Sequence, residues 1–154
     1  MEKATFAAGC FWGVEVEFRN IDGVKSAQVG YTGGGVERPS YEDVCTGRTG
    51  HAEAIEVDFD PEQVSYRELV ERFWTLHDPT QLNRQGPDVG TQYRSAIFAH
   101  SDEQRRVAEA SKAELARGSE RPIATEIVPA APFWPAEDYH QRYLEKRGLA
   151  TCKV

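Results

Sequence analysis

The sequence predicts an α+β fold, a ferredoxin-like split βαβ sandwich with an irregular C-terminal extension. Three observations predict it: short apolar segments of strand length, longer segments with helical spacing behind capping residues, and the order in which the two kinds occur. That order is strand, helix, strand, strand, helix, strand, helix, strand, helix. Its first six members follow the split βαβ sequence.

Ala4 to Ala8 reads as a short buried strand. The stretch from Cys10 to Arg19 supports two patterns. Val14, Val16 and Phe18 alternate as in a strand, whereas Phe11, Val14 and Phe18 share one helical face. Gly9 before it and Asn20 after it favour a strand, a sharp turn and then a helix. Val24 to Tyr31 is a strand that stops at Gly33-Gly34-Gly35, a turn with no phosphate-binding pattern behind it. His51 to Phe59 alternates and ends at Asp60-Pro61. Ser65 and Glu68 form a capping box for a helix carrying Leu69, Val70, Phe73, Trp74 and His77, which Asp78-Pro79 stops. Leu82 to Thr91 reads as a polar loop, and Tyr93 to His100 as a strand. Ser101 and Gln104 open a helix that ends at Gly118, and Thr125 to Pro129 is the last strand. Pro132 to Pro135 is rigid and irregular. A helix is expected over 136–147, with Tyr139 and Tyr143 on one face. Beyond it, 147–154 is expected to be a mobile tail.

At 154 residues the chain fits one domain, read over 1–154, and a domain of this size buries roughly 68–70% of its unfolded surface. The net charge is −7 without a basic run, which argues against a nucleic-acid or anionic-membrane surface. Met1 to Ala8 lacks the pattern of a secretory signal, and no window approaches 18 apolar residues. Cys10, Cys45 and Cys152 are too few and too odd in number for a secreted disulfide framework, so a cytoplasmic chain with reduced thiols is expected. Scattered His and Cys without ligand spacing argue against a metal.

Chemistry concentrates at "AAGCFWG" (7–13), where a cysteine stands between a strand and a helix start. Amide N–H groups and the helix dipole at such a position favour a thiolate. A cysteine flanked by aromatics is equally readable as a small buried hydrophobe in the core. Three further stretches bear on the choice. "SYEDVCTGRTGHAE" (40–53) carries Tyr41, Cys45, His51 and Glu53; "QGPDVGTQYRS" (85–95) carries Asp88 and Tyr93; "FWPAEDYHQ" (133–141) carries Tyr139 and His140.

Together with "GCFWG", these stretches resemble the A-type peptide-methionine sulfoxide reductases, which reduce the S epimer of methionine sulfoxide. The resemblance runs from about Thr5 to Tyr143. It implies that Cys10 is the nucleophile and becomes a sulfenic acid as methionine leaves. Glu53 would supply the proton, with a pKa raised by desolvation, and Tyr41 and Tyr93 would hydrogen-bond the sulfoxide oxygen. Phe11 and Trp12 would hold the S-methyl group, Asp88 would orient the substrate backbone, and Tyr139 and His140 are further substrate-contact candidates. No cofactor or metal is implied. The substrate is free or protein-bound methionine sulfoxide, and the enzyme is expected to be a cytoplasmic monomer.

Many relatives carry a resolving thiol in the tail, which implies that Cys152 forms a disulfide with Cys10 and that thioredoxin reduces it. This tail departs from the pattern in being short and in holding one cysteine. Cys45 is the other thiol, and the family does not usually give it a role. A thiol peroxidase and a redox-sensing module are the rival readings of a reactive Cys10.

Overall fold

The computed structural model describes residues 1–143. Cys152 and the expected tail lie outside the described residues. β1 (Glu2–Ala8) leads through Gly9 and Cys10 into α1 (Phe11–Arg19), followed by β2 (Val24–Thr32), a short α2 (Tyr41–Cys45), β3 (Ala52–Phe59) and α3 (Tyr66–Thr75). A hairpin of β4 (Arg84–Gln85) and β5 (Asp88–Val89) and a 3-10 turn at Thr91–Tyr93 precede β6 (Ser95–Ala99). α4 (Asp102–Arg117), β7 (Glu126–Pro129), β8 (Trp134–Pro135) and a 3-10 turn at Asp138–His140 follow.

The architecture is α+β, with a six-stranded mixed sheet in the order β7-β6-β1-β3-β2-β8. β3 lies between β1 and β2 and is antiparallel to both, the interleaving that a split βαβ unit produces. β6 is antiparallel to β1, β7 is parallel to β6, and β8 is antiparallel to β2.

Alternation decides which residues meet the helices. Ala4, Phe6 and Ala8 of β1 join Val29 and Tyr31 of β2 and Ile55, Val57 and Phe59 of β3 in one core with buried residues of α1, α3 and α4. Phe6 is at its centre, stacked on Phe18 at 5.0 Å and on Phe73 at 5.2 Å between centroids. The other face carries smaller side chains: Ala7, Ala52, Ala54, Ala96 and Phe98, with Val128 and Phe133 against them. Among the described residues no helix is long and apolar enough to cross a membrane.

Register gathers the site. Ala8 pairs with Ser95 and Tyr31 with Glu53, so the ends of β1 and β2 lie beside the starts of β3 and β6. The segments entering or leaving at that end hold Cys10, Glu53 and Tyr93, and α2 sits between β2 and β3 in the chain. Gly9 makes the turn at φ +92°, and an added Cβ there would meet the Gln85 side chain at 2.9 Å. Gly34 is needed for a different reason: a Cβ would collide with the backbone of Thr49 and His51. Its N–H donates to His51 Nδ1 (3.0 Å), while His51 Nε2 donates to the Val36 carbonyl, fixing the loop that enters β3.

The structure differs from the sequence expectations in four places. α2 is a helix of five residues where none was expected, capped by Ser40 and Asp43. The expected polar loop at 82–91 contains the β4–β5 hairpin, pinned because Asp78 N–H donates to Gln85 Oε1 (3.0 Å) and Gly86 N–H to Gln81 Oε1 (2.8 Å). The helix expected from Ala136 is not formed over the described part: Gln141 is extended (φ −70°, ψ 126°) and Arg142 has φ +55°. Edge pairing outweighs the helical spacing there. Pro132–Pro135, expected to be irregular, contributes β8. Ala136 N–H then donates to the Val29 carbonyl (2.9 Å), and the Gln141 amide bonds both the N–H and the carbonyl of Val29.

Candidate active site

Cys10 is the N-cap of α1, half-buried, with φ −58° and ψ 119°. It stands at the amide end of α1, and Glu53 of β3 reaches the backbone N–H of the next residue, Phe11. Glu53 is buried and its Oε1 accepts the Phe11 N–H at 3.3 Å. Its Oε2 is buried with no hydrogen-bond partner among the described residues. Burial pushes the Glu53 carboxyl up, the Phe11 N–H opposes this, and the Asp88 charge adds to the rise, leaving it at about 8. A neutral carboxylic acid at pH 7 is a proton donor, which an ordinary surface glutamate is not.

Tyr41 opens α2 and Tyr93 closes the 3-10 turn before β6; both are half-buried. Burial pushes both phenols above their ordinary range, and the Glu53 charge acts in the same direction on each. They stay O–H donors at any working pH. Asp88 on β5 lines a cleft of about 420 Å³ with Cys10, Val14, Glu17, His77 and Gln85.

The aromatic wall forms a second surface. Trp12 is half-buried and donates its Nε1–H to His140 Nδ1 at 3.0 Å. Its ring lies 6.4 Å from Tyr41, 5.6 Å from His140 and 3.9 Å from Tyr143, in stacked orientations. His140 is buried, and burial pushes its imidazole down, so it stays neutral and can accept the indole proton. Phe11 is only 1% exposed and packs on Tyr31 and His140 at 5.8 and 5.4 Å. It therefore backs the wall, and Trp12 is its surface. Tyr139 is 59% exposed and rests on His140 at 4.1 Å, outside this group. Cys45 closes α2 in an exposed position; desolvation pushes its thiol up against a hydrogen bond with Tyr41 that pulls it down. That makes it a poor nucleophile at neutral pH.

Sequence reasoning passed over Glu137 and Tyr31. Glu137 Oε1 accepts from Tyr31 Oη and Oε2 from Tyr41 N–H, each at 3.0 Å. Glu137 lay inside the motif "FWPAEDYHQ", but nothing local marks it, because both partners are remote in sequence. Among the described residues no group of three or more His, Cys, Asp or Glu could hold a metal ion.

The family model "Peptide methionine sulfoxide reductase" matches residues 2–154. "Peptide methionine sulfoxide reductase MsrA" of Acidobacterium capsulatum is 60% identical, covering 100% of both chains. The crystal structure of Mxr1 from Saccharomyces cerevisiae in reduced form superposes with a TM-score of 0.91 at 41% identity, over 96% of this chain and 86% of that one. Mxr1 in complex with Trx2 matches with a TM-score of 0.65 at 30% identity, over 92% and 84%. With a family match across nearly its whole length, and with the motif residues gathered at one end of the sheet, the chain belongs to the peptide methionine sulfoxide reductase family.

Proposed function

We propose that this chain reduces the S epimer of methionine sulfoxide, free or within proteins, to methionine. The Cys10 thiolate attacks the sulfoxide and takes its oxygen, the S–O bond breaks, and Glu53 delivers one proton to that oxygen. Thiolate, proton and sulfoxide thus become a Cys10 sulfenic acid and methionine. Tyr41 and Tyr93 hold the oxygen, Trp12 with Phe11 and His140 behind it receives the methyl group, and Asp88 orients the substrate backbone. Tyr139 contributes from the rim.

The observation that carries the reading is Glu53: a buried carboxyl held at about 8, bonded to the N–H of the residue after Cys10, with its other oxygen without a hydrogen-bond partner among the described residues. That arrangement suits proton delivery and has no evident use in packing.

The Cys152 thiol then displaces water from the sulfenic acid, forming a Cys10–Cys152 disulfide, and a thioredoxin dithiol reduces it. The complex of the yeast relative with Trx2, a thioredoxin, supports that last step. The enzyme is read as a monomeric cytoplasmic protein with one catalytic domain over 1–154 and no cofactor. A single-turnover experiment tests the chemistry. Reduced Cys152→Ser protein mixed with excess sulfoxide and no reductant should release one equivalent of methionine and leave Cys10 reactive to dimedone. Methionine release without dimedone adduct at Cys10 would contradict it.

A further inference from the structure

We propose that Glu137 is a positioning residue of this active site: its carboxylate ties the first turn of α2, the Tyr31 hydroxyl and the 133–143 segment together, and so fixes Tyr41 in the wall and keeps the Tyr31 proton from Glu53, whose Oε2 has no donor among the described residues. The proposal deepens the sulfoxide-reductase reading and rests on it for its kinetic consequences.

Both oxygens of Glu137 are occupied, and by donors from different elements: Tyr31 Oη at the end of β2 and Tyr41 N–H at the start of α2. α2 is only five residues long, too short to hold its own direction. Its Ser40–Asp43 box bonds the N–H groups of Ser40 and Asp43 and leaves that of Tyr41 to an outside acceptor. Glu137 supplies it. Three residues further on, His140 lies 4.3 Å from the Tyr41 ring and accepts from Trp12. One carboxylate therefore sets the spacing of Tyr41, His140 and Trp12. Burial pushes the Glu137 carboxyl up, but the Tyr41 N–H, its own N–H and the Tyr31 hydroxyl outweigh this and hold it below the usual range. It is an anion wherever the protein is folded and working.

The second consequence concerns Glu53. Tyr31 is buried and sits directly opposite Glu53 in the β2–β3 register, on the same face of the sheet. Such pairs hold their Cβ atoms about 5 Å apart. Tyr31 has a single hydroxyl proton, and Glu137 takes it. Around Glu53 the other groups are the Phe11 N–H of α1, Tyr41 and Cys45 of α2, Asp88 of β5, and Tyr93 of the 3-10 turn, next to Cys10 at the N-cap of α1. The Tyr31 proton is committed to Glu137, as the Tyr41 hydroxyl is to Cys45.

The test compares the full-length wild type with Glu137→Gln and Glu137→Ala. Glutamine keeps the size but offers one oxygen to two donors; alanine offers none. The first readout is the carboxyl titration of Glu53, followed by ¹³C NMR and assigned by its loss in Glu53→Gln. Glu137→Gln frees the Tyr31 hydroxyl to donate to Glu53 across the β2–β3 pair, so Glu53 should titrate lower, by about one pH unit. The second readout is steady-state reduction of methionine sulfoxide. There kcat should fall roughly ten-fold with a smaller change in KM, and the high-pH limb of kcat should move down with Glu53. Iodoacetamide should alkylate Cys10 at a rate within about two-fold of wild type. An unchanged Glu53 titration in Glu137→Gln would overturn the proposal, as would a uniform loss of activity with an unmoved pH limb. If alanine prevents folding, the glutamine variant decides. A wild type that reduces no sulfoxide would refute the function reading, and the Glu53 titration would still judge Glu137.

Discussion

Replacing Glu53 with glutamine should make the protein a worse enzyme and a more stable fold, and the gain should depend on pH. Glu53 has an ordinary value of 4.5 and stands at about 8 in the folded chain. Between these values the unfolded chain ionises Glu53 while the folded chain keeps its proton. The folded state binds more protons, so stability is lost as pH rises through this window. At about 1.4 kcal/mol per pH unit the loss is roughly 5 kcal/mol by pH 8, and close to nothing below pH 4.5. Glutamine ionises in neither state and escapes it. Its amide oxygen can still accept the Phe11 N–H, which sits at 3.3 Å in the wild type. Urea unfolding of both proteins at pH 5 and pH 8 measures the effect. The variant should gain several kcal/mol over wild type at pH 8 and about 1 kcal/mol or less at pH 5. The same substitution should lower kcat by roughly 10² or more, the usual contribution of a general acid. An equal stability difference at both pH values would refute the claim that Glu53 is held neutral by its surroundings.

Cys10→Ser should abolish reduction, read as no methionine released with any thiol. Cys152→Ser should complete one turnover, stall with thioredoxin and continue with dithiothreitol; normal cycling with thioredoxin would remove Cys152 from the resolving role. Phe6→Ala should cost about 3–5 kcal/mol in urea unfolding, because Phe6 is fully buried between Phe18 and Phe73 and the space cannot close. Wild-type kcat should fall about ten-fold per pH unit above about 8 as Glu53 ionises, and a flat profile to pH 10 would contradict its role as the acid.

The parts of the molecule governed by local rules were legible in the sequence. Ser65 caps α3 with its Oγ on Glu68 N–H, as its spacing announces, and Gly9 turns β1 into α1 with Cys10 at the cap. Ser101 caps α4 in the same way, but the Gln104 side chain goes instead to His100 N–H and the Lys3 carbonyl, a tertiary choice that spacing does not reveal. The Ser40–Asp43 capping signal for α2 stands in the sequence, but five residues give no apolar period to accompany it. The expected helix after Ala136 failed for a reason that no window of residues contains: Val29, over a hundred positions away, takes up Gln141 and Ala136. The site divides along the same line. Cys10, Glu53, Tyr41 and Tyr93 carry recognisable motifs, and strand register brings their segments to one end of the sheet. The backing position of Phe11, the outlying position of Tyr139 and the double contact of Glu137 depend on long-range packing.

The central claim is that this site removes oxygen from the sulfur of one methionine sulfoxide epimer. Racemic methionine sulfoxide, dithiothreitol and the protein, followed by chiral chromatography, test it directly. The S epimer should disappear and the reaction should stop near half consumption, with the R epimer intact. Loss of both epimers at similar rates, or of neither from a folded protein with a titratable Cys10, would contradict it.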